Sequence, residues 1–238
     1  MLLEVKDLNT YYGDSHALQN MSLAVDKGEI VALLGRNGMG KSTTLKSIMG
    51  LLKPKSGSVI FQERQITGFP PYKVAKEGIG YVPEERRIFP NLTVLDNLKM
   101  GIKHGQAAKS DSNNLWTFER IFKHFPFMKE RSHQKGALLS GGEQQMLAIG
   151  RTLMGNPDLL MVDEPTEGLA PVMVQEVRDI LAEINKTGVS ILLVEHNLKV
   201  AMSLADRVYL MGKAHLGFSG TRDELETRPD IRAKYLEV

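Results

Sequence analysis

Three unbroken apolar runs have the length of single β-strands. They cover residues 30–34, 159–162 and 191–194, and none of them contains a charged side chain. An apolar run of this length without alternation is typical of a strand that is covered on both faces, as in a parallel sheet. Residues 208–211 form a similar apolar run and are a further strand candidate.

Apolar residues also recur at helical spacing between these runs. The first helical set, at i, i+3, i+4 and i+7, consists of Leu45, Ile48, Met49 and Leu52. The second helical set, with a similar spacing, consists of Val177, Ile180, Leu181 and Ile184. Both sets predict amphipathic helices, and we expect Pro54 and Gly57 to end the first one. Because strands and helices alternate, the chain is predicted to fold as an α/β protein with a parallel sheet and right-handed crossovers.

The amino-terminal segment has the pattern of short, half-buried strands. Leu3 and Val5 alternate with polar neighbours, and Leu23 and Val25 do the same. Such alternation predicts strands with one buried face. Residues 57–82 are rich in turn-forming residues and contain further short strand candidates.

The middle of the chain departs from the α/β pattern. Residues 83–150 are predicted to be mainly helical, with a polar loop from His104 to Asn114 that we expect at the surface. We therefore expect one domain, with a core of about residues 1–82 and 151–238 and a helical insert of about residues 83–150. Trp116 and Phe118 are expected to pack in the core of that insert.

Composition excludes several classes of protein. The 238 residues are 42% hydrophobic and 24% charged, which is close to the globular average and unlike disordered, collagenous or coiled-coil chains. No apolar run approaches the roughly 18 residues that a bilayer-spanning helix needs. The chain has no cysteine, which excludes disulfides, cysteine zinc sites and thiol nucleophiles. A net charge of +2 is too small to predict nucleic-acid binding, so no nucleic-acid partner is expected.

A phosphate-binding pattern follows the first apolar run. The sequence GRNGMGKS at residues 35–42 matches G-x-x-x-x-G-K-[ST] and lies between a predicted strand and a predicted helix. Its glycines let backbone amides approach phosphates, and the helix amino terminus adds positive potential. We expect Lys41 to reach the β- and γ-phosphates and Ser42 to ligate Mg²⁺. The candidate nucleotide-binding residues of this segment are Gly35, Arg36, Asn37, Gly38, Met39, Gly40, Lys41, Ser42 and Thr43.

Two acids stand at the carboxyl end of the second apolar run. Asp163 and Glu164 follow residues 159–162 directly, and ligands of open parallel sheets bind at that edge. Asp163 is therefore a candidate ligand of Mg²⁺, directly or through a water molecule. Glu164 is the candidate base that polarises an attacking water.

A third motif, LSGGEQQ at residues 139–145, precedes a helix-patterned run. A hydroxyl and exposed amides at a helix start form a second candidate anion site. The motif resembles the signature sequence of ATP-binding-cassette (ABC) ATPases, and the resemblance covers nearly the whole chain, in order. It implies a P-loop NTPase core with a parallel sheet, an amino-terminal antiparallel β subdomain and a helical insert. The candidate residues of the signature are Ser140, Gly141, Gly142 and Glu143.

The resemblance also implies an assembly and further site residues. In this family the signature of one subunit closes over the ATP held by another, which implies a head-to-tail dimer with two ATP molecules. Tyr12 lies where the family stacks an aromatic ring on adenine, although neighbouring Tyr11 is a rival. His196, after the third apolar run, matches the switch histidine that contacts the γ-phosphate.

Two positions depart from the family pattern. Glu84 stands where the family usually has a glutamine that reaches the metal-bound water. A carboxylate can accept a hydrogen bond there but cannot donate one, so Glu84 is retained as a metal-site candidate. Ala170 stands where an aspartate often makes an inter-subunit contact, and its side chain offers no hydrogen bond. Arg86 and Arg87 face either solvent or a partner.

The segments PEERRIF and TEGLAP narrow the resemblance to the shorter ATPase subunit of branched-chain amino-acid importers. That resemblance implies an ATP-hydrolysing subunit on the cytoplasmic face of the inner membrane, bound peripherally to permease subunits. It leaves open a homodimer or a heterodimer with a second ATPase. The alternatives are an ABC ATPase for urea, amides, lipid or lipopolysaccharide, and a soluble ABC ATPase without a transport role.

Overall fold

The computed structural model describes residues 1–103 and 115–236, so the polar loop expected from His104 to Asn114 lies outside the described residues. Ten strands are described: β1 (Leu3–Tyr12), β2 (Ser15–Val25), β3 (Ile30–Leu34), β4 (Ser56–Phe61), β5 (Arg64–Gln65), β6 (Ile79–Val82), β7 (Leu159–Asp163), β8 (Ser190–Glu195), β9 (Arg207–Gly212) and β10 (His215–Thr221). The helices of the described residues are α1 (Lys41–Ile48), α2 (Pro71–Glu77), α3 (Val94–Lys99), α4 (Phe118–His124), α5 (Pro126–Glu130), α6 (Gly141–Leu153), α7 (Pro171–Lys186), α8 (Leu198–Leu204), α9 (Arg222–Glu226) and α10 (Pro229–Leu236).

Two sheets organise these elements. The larger has the strand order β10-β9-β3-β8-β7-β6, and its strands run parallel except for β10 at the edge. The smaller has the order β2-β1-β4-β5 and is antiparallel throughout. The predicted α/β fold with a parallel sheet and an amino-terminal antiparallel part is confirmed.

The register of the parallel sheet brings the three predicted apolar strands to a common end. Leu34 pairs with Glu195, and Asp163 pairs with Val194. The chain therefore leaves β3, β7 and β8 at the same edge of the sheet. This edge receives the phosphate loop, the acidic pair and His196, which are far apart in the sequence.

Apolar side chains cover both faces of the parallel sheet. Leu159 and Met161 point into a cluster that also contains residues of β1, β2 and α1, so this cluster lies between the two sheets. Leu160 and Val162 point to the other face, where they join residues of α3, α6 and α7. Because successive side chains of a strand alternate between faces, an unbroken apolar run is what a sheet covered on both sides requires.

The helical segment packs on the second of these faces. Trp116 is buried and Phe118 is partly buried against the same cluster, as expected for core residues. The sequence suggested that the helical insert ends at about residue 150. Helix α6 continues past that residue to Leu153. In the part of the chain that the structure describes, no helix is both long enough and apolar enough to cross a bilayer.

Two local predictions need correction. Helix α1 ends at Ile48, so Leu52 is not on it, and Pro54 and Gly57 do not end it. Gly50 does so, because its φ of +75° is left-handed, and a Cβ there would overlap the carbonyl oxygen of Phe69. Helix α2 lies within the segment predicted as turns and strands, and its one buried side chain leaves little hydrophobic periodicity to detect.

The apolar runs did not indicate the carboxyl-terminal elements. Strand β10 and helices α9 and α10 follow the last predicted strand. The side chains of β10 are half-buried or exposed in alternation, because this strand lies at the edge of the sheet. An edge strand of this kind lacks the continuous apolar run that marks a central strand.

Candidate nucleotide-binding site

The phosphate loop passes directly into helix α1. Gly40 is the residue before the helix and has a φ of +100°, which favours glycine. A Cβ at Gly40 would lie 2.8 Å from the carbonyl oxygen of Ala17 and 2.9 Å from a methyl group of Leu18. The loop is therefore packed against β2 in a conformation that a side chain would not permit.

Lys41 is buried at the start of this helix. Its Nζ donates hydrogen bonds to the carbonyl oxygens of Gly35, at 2.8 Å, and Arg36, at 3.2 Å. The same Nζ lies 3.1 Å from Oε1 of Glu164 in a buried ion pair. The ammonium group thus joins the loop after β3 to the acidic pair after β7.

Glu164 is held between two partners. Its Oε1 faces Lys41, and its Oε2 lies 3.0 Å from Nδ1 of His196. Burial alone raises the pKa of this carboxyl, but the attraction of Lys41 and the hydrogen bonds from Lys41 and His196 outweigh it, so the pKa of Glu164 lies below its usual value. Glu164 is consequently ionised at neutral pH, as a general base must be. Its φ of +45° is a strained backbone conformation of the kind found at functional sites.

Asp163 is the last residue of β7 and has both carboxylate oxygens engaged. Oδ1 accepts a hydrogen bond of 2.9 Å from the Ser42 hydroxyl, and Oδ2 accepts one of 3.0 Å from the Tyr81 hydroxyl. Burial raises the pKa of Asp163, and these two hydrogen bonds lower it in part. The adjacent hydroxyl and carboxylate oxygens are hard donors, which are the ligands that Mg²⁺ prefers. The sequence did not indicate Tyr81 as a site residue, although it lies near the end of β6, next to β7.

A cavity with a volume of about 720 Å³ adjoins these groups. Loop and helix residues 37–43 line it, together with Tyr12, Glu84 and Glu164. Gly35, Arg36, Asp163 and His196 were predicted as site residues and are not among its lining residues. The carbonyls of Gly35 and Arg36 hold Lys41, whereas Asp163 and His196 contact the site through Ser42 and Glu164.

The cavity distinguishes the two candidate tyrosines. Tyr12 lines it and is about half exposed. Tyr11 stacks its ring on His16, with centroids 4.1 Å apart and an interplanar angle of 7°. The ammonium of Lys55 lies 4.9 Å from the same Tyr11 ring. Tyr11 is therefore already engaged, and Tyr12 is the aromatic residue available to a ligand in the cavity.

A third acid, which the sequence did not single out, also lines the cavity. Glu167 stands in the loop after β7. Burial raises its pKa, and the negative charges of Glu164 and Glu84 raise it further. Glu84, the departure from the family pattern, therefore adds negative potential to a wall that already holds two carboxylates.

The buried Glu195 positions the loop that carries His196. Its Oε1 accepts a hydrogen bond of 2.6 Å from the hydroxyl of Thr166, and its Oε2 accepts from the backbone amides of His196 and Asn197. The loops after β7 and β8 are joined by these contacts. Sequence reasoning missed Glu195, whose only signal was its place at the end of a buried apolar run.

The signature residues form a separate site. Ser140 caps α6, with its hydroxyl accepting from the Glu143 amide at 3.3 Å and its own amide donating to the Glu143 carboxylate at 2.9 Å. The guanidinium of Arg86 lies against Gly141, about 3.0 Å from the position that a Cβ would take there. Ser140 and Glu143 line another cavity, beside α7, and do not line the one at the phosphate loop.

Ala170 caps α7 without a side-chain hydrogen bond and is exposed, as its residue type implied. The aspartate contact of the family is thus missing at this position. Arg87 forms an exposed pair with Glu85, whereas Arg86 turns inward toward the signature helix. The two arginines, for which the sequence predicted the same surroundings, therefore differ in their contacts.

Comparisons with known proteins agree with this geometry. The family model described as "ABC transporter" matches residues 18–167, which is more than half of the chain. The chain is 41% identical to the high-affinity branched-chain amino acid transport ATP-binding protein BraG of Pseudomonas aeruginosa, over 99% of both chains. It is 31% identical to the lipopolysaccharide export system ATP-binding protein LptB of Escherichia coli, over 98% of this chain and 96% of LptB.

Two solved structures extend the comparison. A nucleotide-free ATP-binding cassette from an ABC transporter superposes with a TM-score of 0.83 at 28% identity, covering 99% of this chain and 97% of that one. A dimeric ATP-binding cassette in a post-hydrolysis state, bound to ADP and phosphate, has a TM-score of 0.78 at 26% identity. That alignment covers 93% of this chain and 99% of the other.

Proposed function

This chain belongs to the ABC transporter family and is an ATPase, and we propose that it drives an importer of branched-chain amino acids. The observation that supports the cargo is the 41% identity to the branched-chain amino acid transport protein BraG over 99% of both chains. The hydrolytic step rests on the chain of contacts from Lys41 through Glu164 to His196, beside the Ser42–Asp163 hydrogen bond. A phosphate-binding lysine, an ionised base and a hydroxyl–carboxylate pair are the parts that phosphoryl transfer to water requires.

Each of these residues has a distinct part in the proposed reaction. Lys41 leaves the carboxylate of Glu164 and binds phosphate oxygens of ATP, which frees Glu164 to accept a proton from the attacking water. His196 holds the other carboxylate oxygen and so keeps Glu164 in position. Ser42 and Asp163, with Glu84 on the cavity wall, would hold Mg²⁺, which neutralises charge that develops on the phosphates.

We propose that Tyr12 stacks on the adenine of ATP. Tyr12→Ala is expected to weaken ATP binding roughly tenfold, because base–aromatic stacking contributes about 1–3 kcal/mol. Isothermal titration of ATP into the variant measures the change. Tyr12→Phe retains the ring and is expected to bind like the wild type. The matched change, Tyr11→Ala, is expected to leave ATP affinity unaltered, and a larger loss there than at Tyr12 would contradict the assignment.

We propose a head-to-tail dimer as the closed, active form. The phosphate loop and the signature line different cavities of one chain, so a second chain is needed to bring a signature to the bound ATP. The solved cassette described above is dimeric, which supports the formation of a dimer. A heterodimer with a second ATPase is the assembly we favour, since the chain resembles the shorter of two subunits.

We propose a docking surface for the permease subunits beside Glu84. We assign the exposed apolar side chains of Leu51 and Phe89 to this docking surface. Leu51 and Glu84 line the same small cavity, and the guanidinium of Arg151 lies over the Phe89 ring at 5.1 Å. A group of exposed apolar residues is typical of a protein interaction site. Binding there would place the chain peripherally at the cytoplasmic face of the inner membrane.

The cargo is tested by uptake in the source organism. Deletion of the gene is expected to remove most uptake of labelled leucine, isoleucine and valine, while uptake of labelled urea stays at the wild-type level. Reintroducing the wild-type gene restores leucine uptake, and a Glu164→Gln copy does not. Normal leucine uptake in the deletion strain would refute the cargo. Loss of urea uptake or of lipopolysaccharide export instead would identify the alternatives that the sequence left open.

A further inference from the structure

A second cavity adjoins the phosphate loop. Its volume is about 340 Å³, and we call it the basic pocket. Arg36 of the phosphate loop forms one wall, Lys213 and His215 of the β9–β10 hairpin form another, and Lys234 and Tyr235 of α10 form the third. Three separate parts of the chain thus line it, and their basic side chains are exposed to solvent.

The charge of this pocket has one sign. Four of the five side chains named above are basic, and no acidic residue lines the pocket. Within residues 1–103 and 115–236, the structure pairs none of Arg36, Lys213 and Lys234 with a carboxylate. The ammonium of Lys234 lies 5.1 Å from the centroid of the Tyr235 ring, which does not neutralise it. A group of cations without a neutralising carboxylate creates a positive potential, which favours the binding of an anion.

The wall formed by α10 is held in place by close packing. The Tyr235 ring lies against Gly212 and Gly217, and a Cβ at Gly212 would stand 2.7 Å from a ring carbon. A Cβ at Gly217 would overlap the same ring. Because Tyr235 fills the space that two missing side chains leave, this turn of α10 is anchored beside the pocket, which the exposed Lys234 also lines.

The pocket shares a wall with the phosphate loop. Met39 of the loop accepts a hydrogen bond at its sulfur from the backbone amide of Lys213, at 3.1 Å. Met211 forms the floor of the pocket and packs against the phosphate loop. A Cβ at Gly35 would lie 2.7 Å from the carbonyl oxygen of Met211. Met39 and Lys213 line both the basic pocket and the nucleotide cavity, so the two cavities are neighbours. Each also has its own basic residues: Lys41 lines only the nucleotide cavity, whereas Arg36 and Lys234 line only the basic pocket.

We propose that the basic pocket binds a small phosphorylated molecule at a site distinct from the nucleotide cavity. Arg36 can hold phosphate oxygens through two parallel hydrogen bonds, and the lysines add point charges around it. The volume is at the lower end of the range for small-molecule sites, which suits a compact ligand. The methionine floor and the Tyr235 ring offer the apolar surface that such a ligand also contacts. The proposal stands independently of the transported cargo and of ATP hydrolysis.

Pyrophosphate is the probe for this site, and isothermal titration is the measurement. Because pyrophosphate also fits a phosphate loop, the titration uses Lys41→Ala protein and, separately, wild-type protein saturated with a non-hydrolysable ATP analogue. One pyrophosphate is expected to bind in both. Adding Lys234→Glu to either preparation is expected to weaken pyrophosphate binding roughly tenfold, which corresponds to about 1.4 kcal/mol.

The matched control is Lys27→Glu, which makes the same change in charge. Lys27 is exposed in the turn before β3, at the opposite end of that strand from the phosphate loop. It is expected to leave pyrophosphate affinity unchanged. Absence of binding in both preparations would overturn the proposal, and so would an equal loss with Lys27→Glu and Lys234→Glu, since that would indicate a general effect of net charge.

Discussion

Glu164→Gln is expected to lower the single-turnover rate of ATP hydrolysis by about 10²–10³-fold, because a neutral amide cannot accept the proton of the attacking water. ATP affinity is expected to be equal to that of the wild type or higher. In the wild-type protein Lys41 is bound to the Glu164 carboxylate at 3.1 Å, and the amide releases it to the phosphates. Rapid-quench hydrolysis and a separate ATP titration measure the two effects.

The control for this variant is Glu226→Gln, which removes an exposed carboxylate at the end of α9. It is expected to hydrolyse ATP at the wild-type rate. A near-normal rate for Glu164→Gln would refute the assigned base. In that case Glu84 and Glu167, which line the same cavity, become the candidates for polarising the water.

Lys41→Ala is expected to weaken ATP binding by roughly 10–100-fold. A hydrogen bond to a charged group contributes about 1.5–3 kcal/mol, and Lys41 supplies the one ammonium of the loop. The change also removes the closest positive charge from Glu164, so the pKa of Glu164 is expected to rise. Nucleotide titration at constant ionic strength measures the affinity.

Lys53→Ala is the matched control for Lys41→Ala. Lys53 is exposed shortly after α1, and its removal changes the net charge by the same amount. Unaltered ATP affinity is expected. If Lys41→Ala binds ATP as tightly as Lys53→Ala does, the phosphate loop does not hold the triphosphate, and the proposed mechanism fails with it.

The residue pattern alone was sufficient to predict those parts of the site that lie within one short segment. A loop that wraps phosphates uses consecutive backbone amides, so residues 35–42 carry the whole signal in order. The central strands are equally local, because burial on both faces requires every residue of the run to be apolar. Asp163 and Glu164 could be assigned for the same reason, since they directly follow such a run.

Partners across the fold could not be predicted in this way. The hydrogen bond from Tyr81 to Asp163 depends on the pairing of β6 with β7, and the role of Glu195 depends on its reach to Thr166. The choice of Tyr12 over Tyr11 follows from the stacking of Tyr11 on His16, a residue of the next strand. Each of these contacts is set by strand register, which a linear pattern does not contain.

The amino-acid sequence by itself therefore located the catalytic groups, because each of them lies in or directly after a short motif that can be recognised locally. Tertiary structure alone decided which of them touch: Lys41 meets Glu164 only because β3 and β7 both flank β8 and end at one edge of the sheet. The basic pocket has the same origin, since packing brings a loop, a hairpin and the last helix together.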